Sequence, residues 1–408
     1  MTLETNFVTA NGTLALRRYP VLEDEKLRAW DAADEYLLSH IDEMASNLKA
    51  NKILVFNDVF GALSLGLSQI PAFANFQITP VSDSVIAHSA ISLNANQNEI
   101  SADRIEPIDS FTFSDLNSDL NSDLSSDQHY DLVVIKITKS LAQLEDNLRR
   151  IRSRVSAETQ IVGAGMVKNV HSSTLELFEK CIGETKSSLA KKKARLIFST
   201  ASDVTAEITS EPPTLFKVDS KICQTEDDLI LASYPGIFCH GKLDYGTRFL
   251  LESMYLPDPA DHILDLGCGS GALGVAAAKR APEAQVTFVD ESYTAVESSR
   301  ESAKRSLPDS AASQYHFIAT HCLEGIEDQS MDLILNNPPF HDSAAKTSGI
   351  AMEMFSQSKR VLREGGQLQV VSNKHLGYEK RLRELFGNCR IIASNQKFVV
   401  LRSRKSAS

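Results

Sequence analysis

One stretch of this chain occurs twice. Lys52-Ile53-Leu54-Val55-Phe56-Asn57-Asp58-Val59-Phe60-Gly61-Ala62-Leu63-Ser64 matches His262-Ile263-Leu264-Asp265-Leu266-Gly267-Cys268-Gly269-Ser270-Gly271-Ala272-Leu273-Gly274, 210 residues later. Each copy reads as an apolar strand, a tight turn and an Ala/Leu-rich helix. Tyr130–Lys136 matches Met331–Asn337 in the same order, 201 residues apart. Two strand anchors at nearly one spacing predict two tandem copies of one fold, and 408 residues is long for a single core. The expected limits are 1–205 for the first copy, 206–232 for a linker and 233–408 for the second. The linker is polar and carries Glu211-Pro212-Pro213. A tandem Ser-Asp-Leu repeat over Ser114–Asp127 reads as an acidic surface loop.

In the second half, strands are predicted at Ile263–Leu266, Gln285–Val289, Tyr315–Ile318, Leu333–Leu335 and Gln367–Val371. Helical patterns begin at Ala272, Thr294 and Met352. Strands alternating with helices predict an α/β fold with a parallel, doubly wound sheet. Arg390–Ala393 and Phe398–Leu401 read as a closing antiparallel hairpin.

Charge is uneven. The chain totals −11, yet from Ser233 onward 20 basic residues face 20 acidic ones, and from Lys359 onward 12 face 3. Lys191, Lys192, Lys193 and Arg195, then Lys374, Lys380, Arg381 and Arg383, are the clusters that would suit a polyanion. Solvated helix faces are the competing reading. The six cysteines are scattered with no C-x-x-C pair, so neither a metal site nor a disulfide framework is expected. Without a long apolar run or a signal-like start, the expectation is a cytoplasmic chain with no membrane partner.

Asp265-Leu266-Gly267-Cys268-Gly269-Ser270-Gly271 ends a strand and opens a helix. Glycines there let a ligand approach the backbone, and the helix start offers free N–H groups. Gly269–Gly274 also satisfies the dinucleotide pattern G-x-G-x-x-G. Asp265 separates the two readings. A carboxylate before the glycines repels a pyrophosphate and suits a cation, so S-adenosyl-L-methionine is favoured over a nicotinamide cofactor. Asp290, followed by Glu291, ends the next strand and suits a ribose hydroxyl pair. His321-Cys322 follows the third strand, where such sites offer a group to adenine; a core histidine is the alternative.

Asn337-Pro338-Pro339-Phe340 follows the strand Leu333–Leu335. The motif suits methylation of a planar conjugated amine. Such a nitrogen is a poor nucleophile, and it becomes positive as it attacks a sulfonium methyl. The Asn337 oxygen and the Pro338 carbonyl can accept from its two N–H bonds, in a turn stiffened by two prolines. Phe340 offers a stacking face. In the first copy Asp265, Gly267, Gly269 and Asn337-Pro338-Pro339 become Val55, Asn57, Val59 and Lys136-Ile137-Thr138. That copy is expected to keep the fold without the ligand.

With Trp30–Leu38, Ser173–Lys180, Asp290-Glu291-Ser292, Asn337–His341 and Lys397–Leu401 added, nearly the whole chain resembles the bacterial ribosomal RNA guanine-N2 methyltransferases. These belong to the class I methyltransferases, whose sheet closes with the hairpin read above. The resemblance implies a degenerate N-terminal methyltransferase-like domain that helps hold RNA. It implies transfer from S-adenosylmethionine to a guanine of 23S ribosomal RNA. A monomer with no obligate protein partner is the expectation. It further implies that Phe238, Leu243, Asp244 and Gly246 lie along the segment leading over the cofactor. Cys239-His240-Gly241-Lys242 departs from the Ser-Arg-x-Gly-like stretch of that family. A small-subunit guanine, a DNA adenine or a protein glutamine would suit the same motif, and an RNA-binding assembly factor is the non-enzymatic alternative.

Overall fold

A computed structural model describes residues 4–22, 25–48, 52–115, 129–202, 212–339 and 344–407, the side chains of 47, 115 and 344–348 aside. The Ser-Asp-Leu repeat therefore lies almost wholly outside the described residues, as do Phe340 and His341. The chain forms two compact units, Met1–Glu211 and Pro212–Ser408.

The first unit begins with a small hairpin, β1 (Asn6–Thr9) and β2 (Gly12–Ala15). Its sheet contains β3 (Lys52–Phe56), β4 (Gln77–Val81), β5 (Leu132–Lys136), β6 (Gln160–Met166), β7 (Thr185–Ser187) and β8 (Ala194–Ser199). The order is β4-β3-β5-β6-β8-β7, parallel through β6, with β8 and β7 antiparallel.

The second unit opens with β9 (Thr214–Val218) and β10 (Leu229–Ser233), an antiparallel pair. Its main sheet is built from β11 (His262–Leu266), β12 (Gln285–Asp290), β13 (Tyr315–Ala319), β14 (Met331–Asn336), β15 (Leu362–Asn373), β16 (Arg390–Ser394) and β17 (Phe398–Arg404). The order is β13-β12-β11-β14-β15-β17-β16, parallel from β13 to β15 and then antiparallel through β17 and β16. Successive side chains on the central strands face opposite helical layers. Ile263, Leu333 and Leu335 enter one core, and Leu264, Leu266 and Ile334 the other. Helix Ala272–Arg280 lies so close to β12 that a Cβ on Gly274 would collide with Phe288.

The strand pairing fixes the equivalence of the two units. Phe56 stands beside Val81 and Ile135, and Leu266 beside Val289 and Asn336. Ser82 therefore occupies the place of Asp290, and Lys136 that of Asn337. Among the described residues the first unit has no full counterpart of β13; isolated parallel bridges, Ile78 to Ile105 and Val81 to Ile108, mark that edge.

The expected linker 206–232 needs correction. From Thr214 onward it is the β9–β10 hairpin, with Val218, Leu229 and Leu231 buried. Its outer edge is not left bare. Ile230, Ala232 and Tyr234 donate their N–H groups to Ser306, Ser302 and Ser298, a ladder at four-residue spacing on helix Tyr293–Ser306. Short alternating strands among charged residues had passed for a polar connection.

Candidate active site

The turn after β11 carries Gly267, Gly269 and Gly271 at φ of 73°, 53° and 77°. The amides of Gly267 and Cys268 donate to the Val289 carbonyl at 2.8 and 3.0 Å, which folds the turn onto the end of β12. The Gly269 amide donates to Asp290 Oδ2 at 3.0 Å, and Ser292 N–H to Asp290 Oδ1 at 3.1 Å. A Cβ on Gly269 would meet nothing within 4 Å, so the turn leaves open space in front of it. Glu291 stands exposed beside Asp290.

Asp265 is buried at 1% exposure. Its Oδ2 accepts from Gly274 N–H at 2.8 Å, and its Oδ1 has no partner. Burial, with the Asp290 charge nearby, pushes its carboxyl up to about 8. Burial also raises Asp290, despite its backbone donors, and drives the Cys268 thiol far up.

In the first unit the same turn survives with other contents. Asn57 holds the left-handed position at φ 62°, as asparagine can, and Gly61 matches Gly271. Asp58 accepts from Gly61 N–H at 3.0 Å and Ser64 N–H at 2.7 Å, so the backbone engages both its oxygens. The Asn57 side chain is engaged within the first unit. It donates to the Lys136 carbonyl and accepts from Asn147. Val59 stands where Gly269 leaves room.

At the end of β14, Asn336 donates to the Leu266 carbonyl at 2.8 Å and ties the two central strand ends together. Asn337 donates its amide N–H groups to Asp244 Oδ2 at 3.1 Å and Thr247 Oγ1 at 2.8 Å, while its own Oδ1 is buried without a partner. Pro338 is buried and Pro339 exposed. Unpaired buried acceptors are rare in a folded protein. Here Asp265, Asn336, Asn337 and Asn373 each have one, and the Ser372 hydroxyl is also unpaired. All five lie at or near the carboxyl ends of β11, β14 and β15, where doubly wound sheets hold ligands. The sequence reading missed Asn336, Thr247, Ser372 and Asn373. The polar pair Ser372-Asn373, closing the strand predicted at Gln367–Val371, was the available signal.

His321 and Cys322 follow β13 as expected, but both are buried. His321 Nε2 lies 3.1 Å from Glu353 Oε2 and 3.8 Å from Cys322 Sγ. Burial and the carboxylates of Glu353, Glu324 and Glu291 push the Cys322 thiol well up. The departing stretch is pinned through His240. His240 Nδ1 lies 2.9 Å from Ser233 Oγ and 3.0 Å from the Tyr234 carbonyl.

The basic candidates divide. Lys374 directly follows β15, on the same edge as Asn337, and donates its amide to the Lys397 carbonyl. Lys380, Arg381 and Arg383 pair with Glu384 and Glu379 along their own helix, as a solvated face does. Lys191 lies over the Tyr36 ring, Lys192 pairs with Glu35, Lys193 occupies a left-handed turn position, and Arg195 Nε is buried without a partner.

A doubly wound sheet closed by an antiparallel hairpin, with the glycine turn after its central strand, makes the second unit a class I methyltransferase. Residues 4–203 match the RLMG N-terminal domain and residues 228–402 the methyltransferase small domain. Proteins called ribosomal RNA large subunit methyltransferase G are similar along the full length. That of Psychromonas ingrahamii is 38% identical, covering 97% of this chain and 98% of the relative. That of Erwinia tasmaniensis is 40% identical, covering 97% and 98%. The chain belongs to the ribosomal RNA large subunit methyltransferase G family. The same two-unit fold occurs in a 16S rRNA N2 methyltransferase of T. thermophilus, solved with AdoMet and guanosine. It has a TM-score of 0.71 at 18% identity, over 98% of this chain and 97% of that one.

Proposed function

We propose that the second unit methylates the exocyclic N2 of a guanine in 23S ribosomal RNA, with S-adenosylmethionine as donor. The observation that carries this reading is Asn337 Oδ1, a buried acceptor at the end of β14 with no donor among the described residues. Family membership directs it to large-subunit RNA. The donor supplies an electrophilic methyl on a sulfonium. The chain's own residues do the rest. Gly267 and Gly269 leave the backbone bare for the cofactor while Gly271 lets the turn close against Ser299, Asp290 with Glu291 faces its ribose, and Asp265 Oδ1 faces its cationic end. His321 and Cys322 border the adenine side. Asn337 Oδ1 and the Pro338 carbonyl accept from the target amine as it gains positive charge, and Phe340 stacks on the base. No strong base is required, since the proton leaves an already cationic nitrogen.

Phe238 and Tyr245 are the most exposed aromatic side chains among the described residues, at 58% and 77%. Both lie on the segment that carries Asp244. Each can stack on a nucleotide beside the target, and an extruded guanine would reach the site at a cost of a few kcal/mol. The first unit, with Val59, Ser82 and Lys136 where the second has Gly269, Asp290 and Asn337, serves to hold RNA through Lys191, Lys192, Lys193 and Arg195. Lys374, at the carboxyl end of β15, adds a phosphate contact. The chain works as a cytoplasmic monomer without an obligate protein partner; among the described residues no helix is long and apolar enough to cross a membrane.

Incubation with tritiated donor and separated RNA, DNA and protein fractions tests the substrate class. Label is expected in large-subunit rRNA. Label confined to DNA or protein, or no donor binding by calorimetry, overturns the reading.

Proton linkage tests Asp265. Its carboxyl is raised from 3.8 to about 8, so the stability it contributes is full below pH 3.8 and lost as pH rises through 8. A cation placed against Oδ1 favours the carboxylate, so donor binding is expected to release up to one proton at pH 6–7 and almost none at pH 9. Calorimetry in buffers of different ionisation enthalpy measures this. Asp265→Asn should abolish the release, and a wild-type protein that releases no proton at pH 6–7 would contradict the assignment.

A further inference from the structure

We infer that Asp244 is a positioning residue that fixes which end of the Asn337 amide faces the substrate. The inference rests on the acceptor role proposed for Asn337. Asp244 is the N-cap of helix Tyr245–Ser253, and its Oδ2 accepts from Gly246 N–H at 2.8 Å and Thr247 N–H at 3.0 Å. The same oxygen accepts from Asn337 Nδ2 at 3.1 Å, and Thr247 Oγ1 accepts from that nitrogen at 2.8 Å.

An ionised carboxylate has no proton to give, so it can bind only the NH2 end of an amide. Both N–H bonds of Asn337 are engaged, and the oxygen meets no donor among the described residues. A free amide could rotate about its last torsion and present NH2 to the reacting amine. That orientation would oppose the positive charge growing there. The cap therefore sets the sign of the dipole that the substrate meets.

The first unit supplies an internal control. Asp31 is the N-cap of helix Ala32–Met44, and Asp34 stands three residues on, as Thr247 does from Asp244. Lys136, in the place of Asn337, donates to Asp31 Oδ1 at 2.8 Å and Asp34 Oδ1 at 2.5 Å. The link from helix cap to strand end exists in both units. Only in the second does the anchored group carry an acceptor, which is then left over and buried. In the first, the anchored ammonium has donors alone.

Asp244→Ser separates anchoring from capping. Serine caps a helix about as well as aspartate but is one bond shorter, too short to hold the Asn337 amide. The variant is expected to keep its melting temperature and donor affinity and to lose about ten- to a hundredfold in kcat, the effect of one hydrogen bond to a charged group. Asp244→Asn, whose oxygen can still accept, should restore most of that turnover. On an Asn337→Ala background, Asp244→Ser should cost nothing more. Wild-type kcat in Asp244→Ser, a loss that lies wholly in donor affinity, or losses that multiply with Asn337→Ala would each overturn the inference. Full turnover by Asn337→Ala alone would instead remove the acceptor role on which it rests.

Discussion

Asn337→Ala is expected to lower kcat for methyl transfer by about 10²–10³-fold, equivalent to about 3–4 kcal/mol, while donor affinity stays near wild type. The size follows from the position. Oδ1 is buried and unpaired, so its dipole is in place before the reaction and needs no reorganisation when charge develops. The reaction gains from it chiefly in the transition state, because a neutral exocyclic amine has little charge to stabilise. The loss should therefore fall on kcat more than on KM. The remaining acceptor, the Pro338 carbonyl, leaves a residual rate. Single-turnover assays with saturating RNA, and calorimetry for the donor, separate the two quantities. A variant with reduced donor affinity and unchanged kcat would place Asn337 on the cofactor instead.

Lys136→Met should destabilise the first unit by about 3–5 kcal/mol, the usual cost of removing one partner of a buried ion pair. Methionine nearly matches the lysine stem in volume, so the loss is electrostatic. Asp34 is buried, and burial already pushes its carboxyl up to about 6 despite the ammonium beside it. The burial of Lys136 works against its own charge, but the two carboxylates outweigh that and hold it protonated. Without the ammonium, Asp34 rises further above its unfolded value. A carboxyl raised in this way contributes stability below its unfolded pKa and loses it as pH rises through the folded one. The gap between variant and wild type is therefore expected to widen from pH 5 to pH 8 in urea titrations. Adding Asp34→Leu should recover much of it. A gap that narrows with pH would contradict the role of the buried carboxylate.

The sequence announced the tandem fold because strands with fixed partners keep their apolar runs. The strand register then agreed with the match of Lys136 to Asn337. Other equivalences were hidden, since they join residues through space. Nothing in the order of residues ties Asp31 and Asp34 to Lys136, or Asp244 and Thr247 to Asn337, until helix and strand are brought together. The β9–β10 hairpin was misread because its hydrogen-bonding edge is completed by serines about 70 residues away, not by a neighbouring strand. Nor does the sequence tie Asn57 to Lys136 and Asn147, which its side chain joins in the fold. Lys380, Arg381 and Arg383 looked like phosphate contacts by composition, and only the structure reveals their carboxylate neighbours one turn away.

Asn337 Oδ1 is matched to one atom of one RNA, the N2 of a guanine in 23S rRNA. The most direct test of that match is nucleoside mass spectrometry of 23S rRNA, taken from cells lacking the protein and incubated with purified enzyme and donor. The expected product is N2-methylguanosine, approaching one per RNA molecule with wild type and nearly absent with Asn337→Ala. Methyl groups on a ring nitrogen or another base, or incorporation into 16S rRNA alone, would contradict the account.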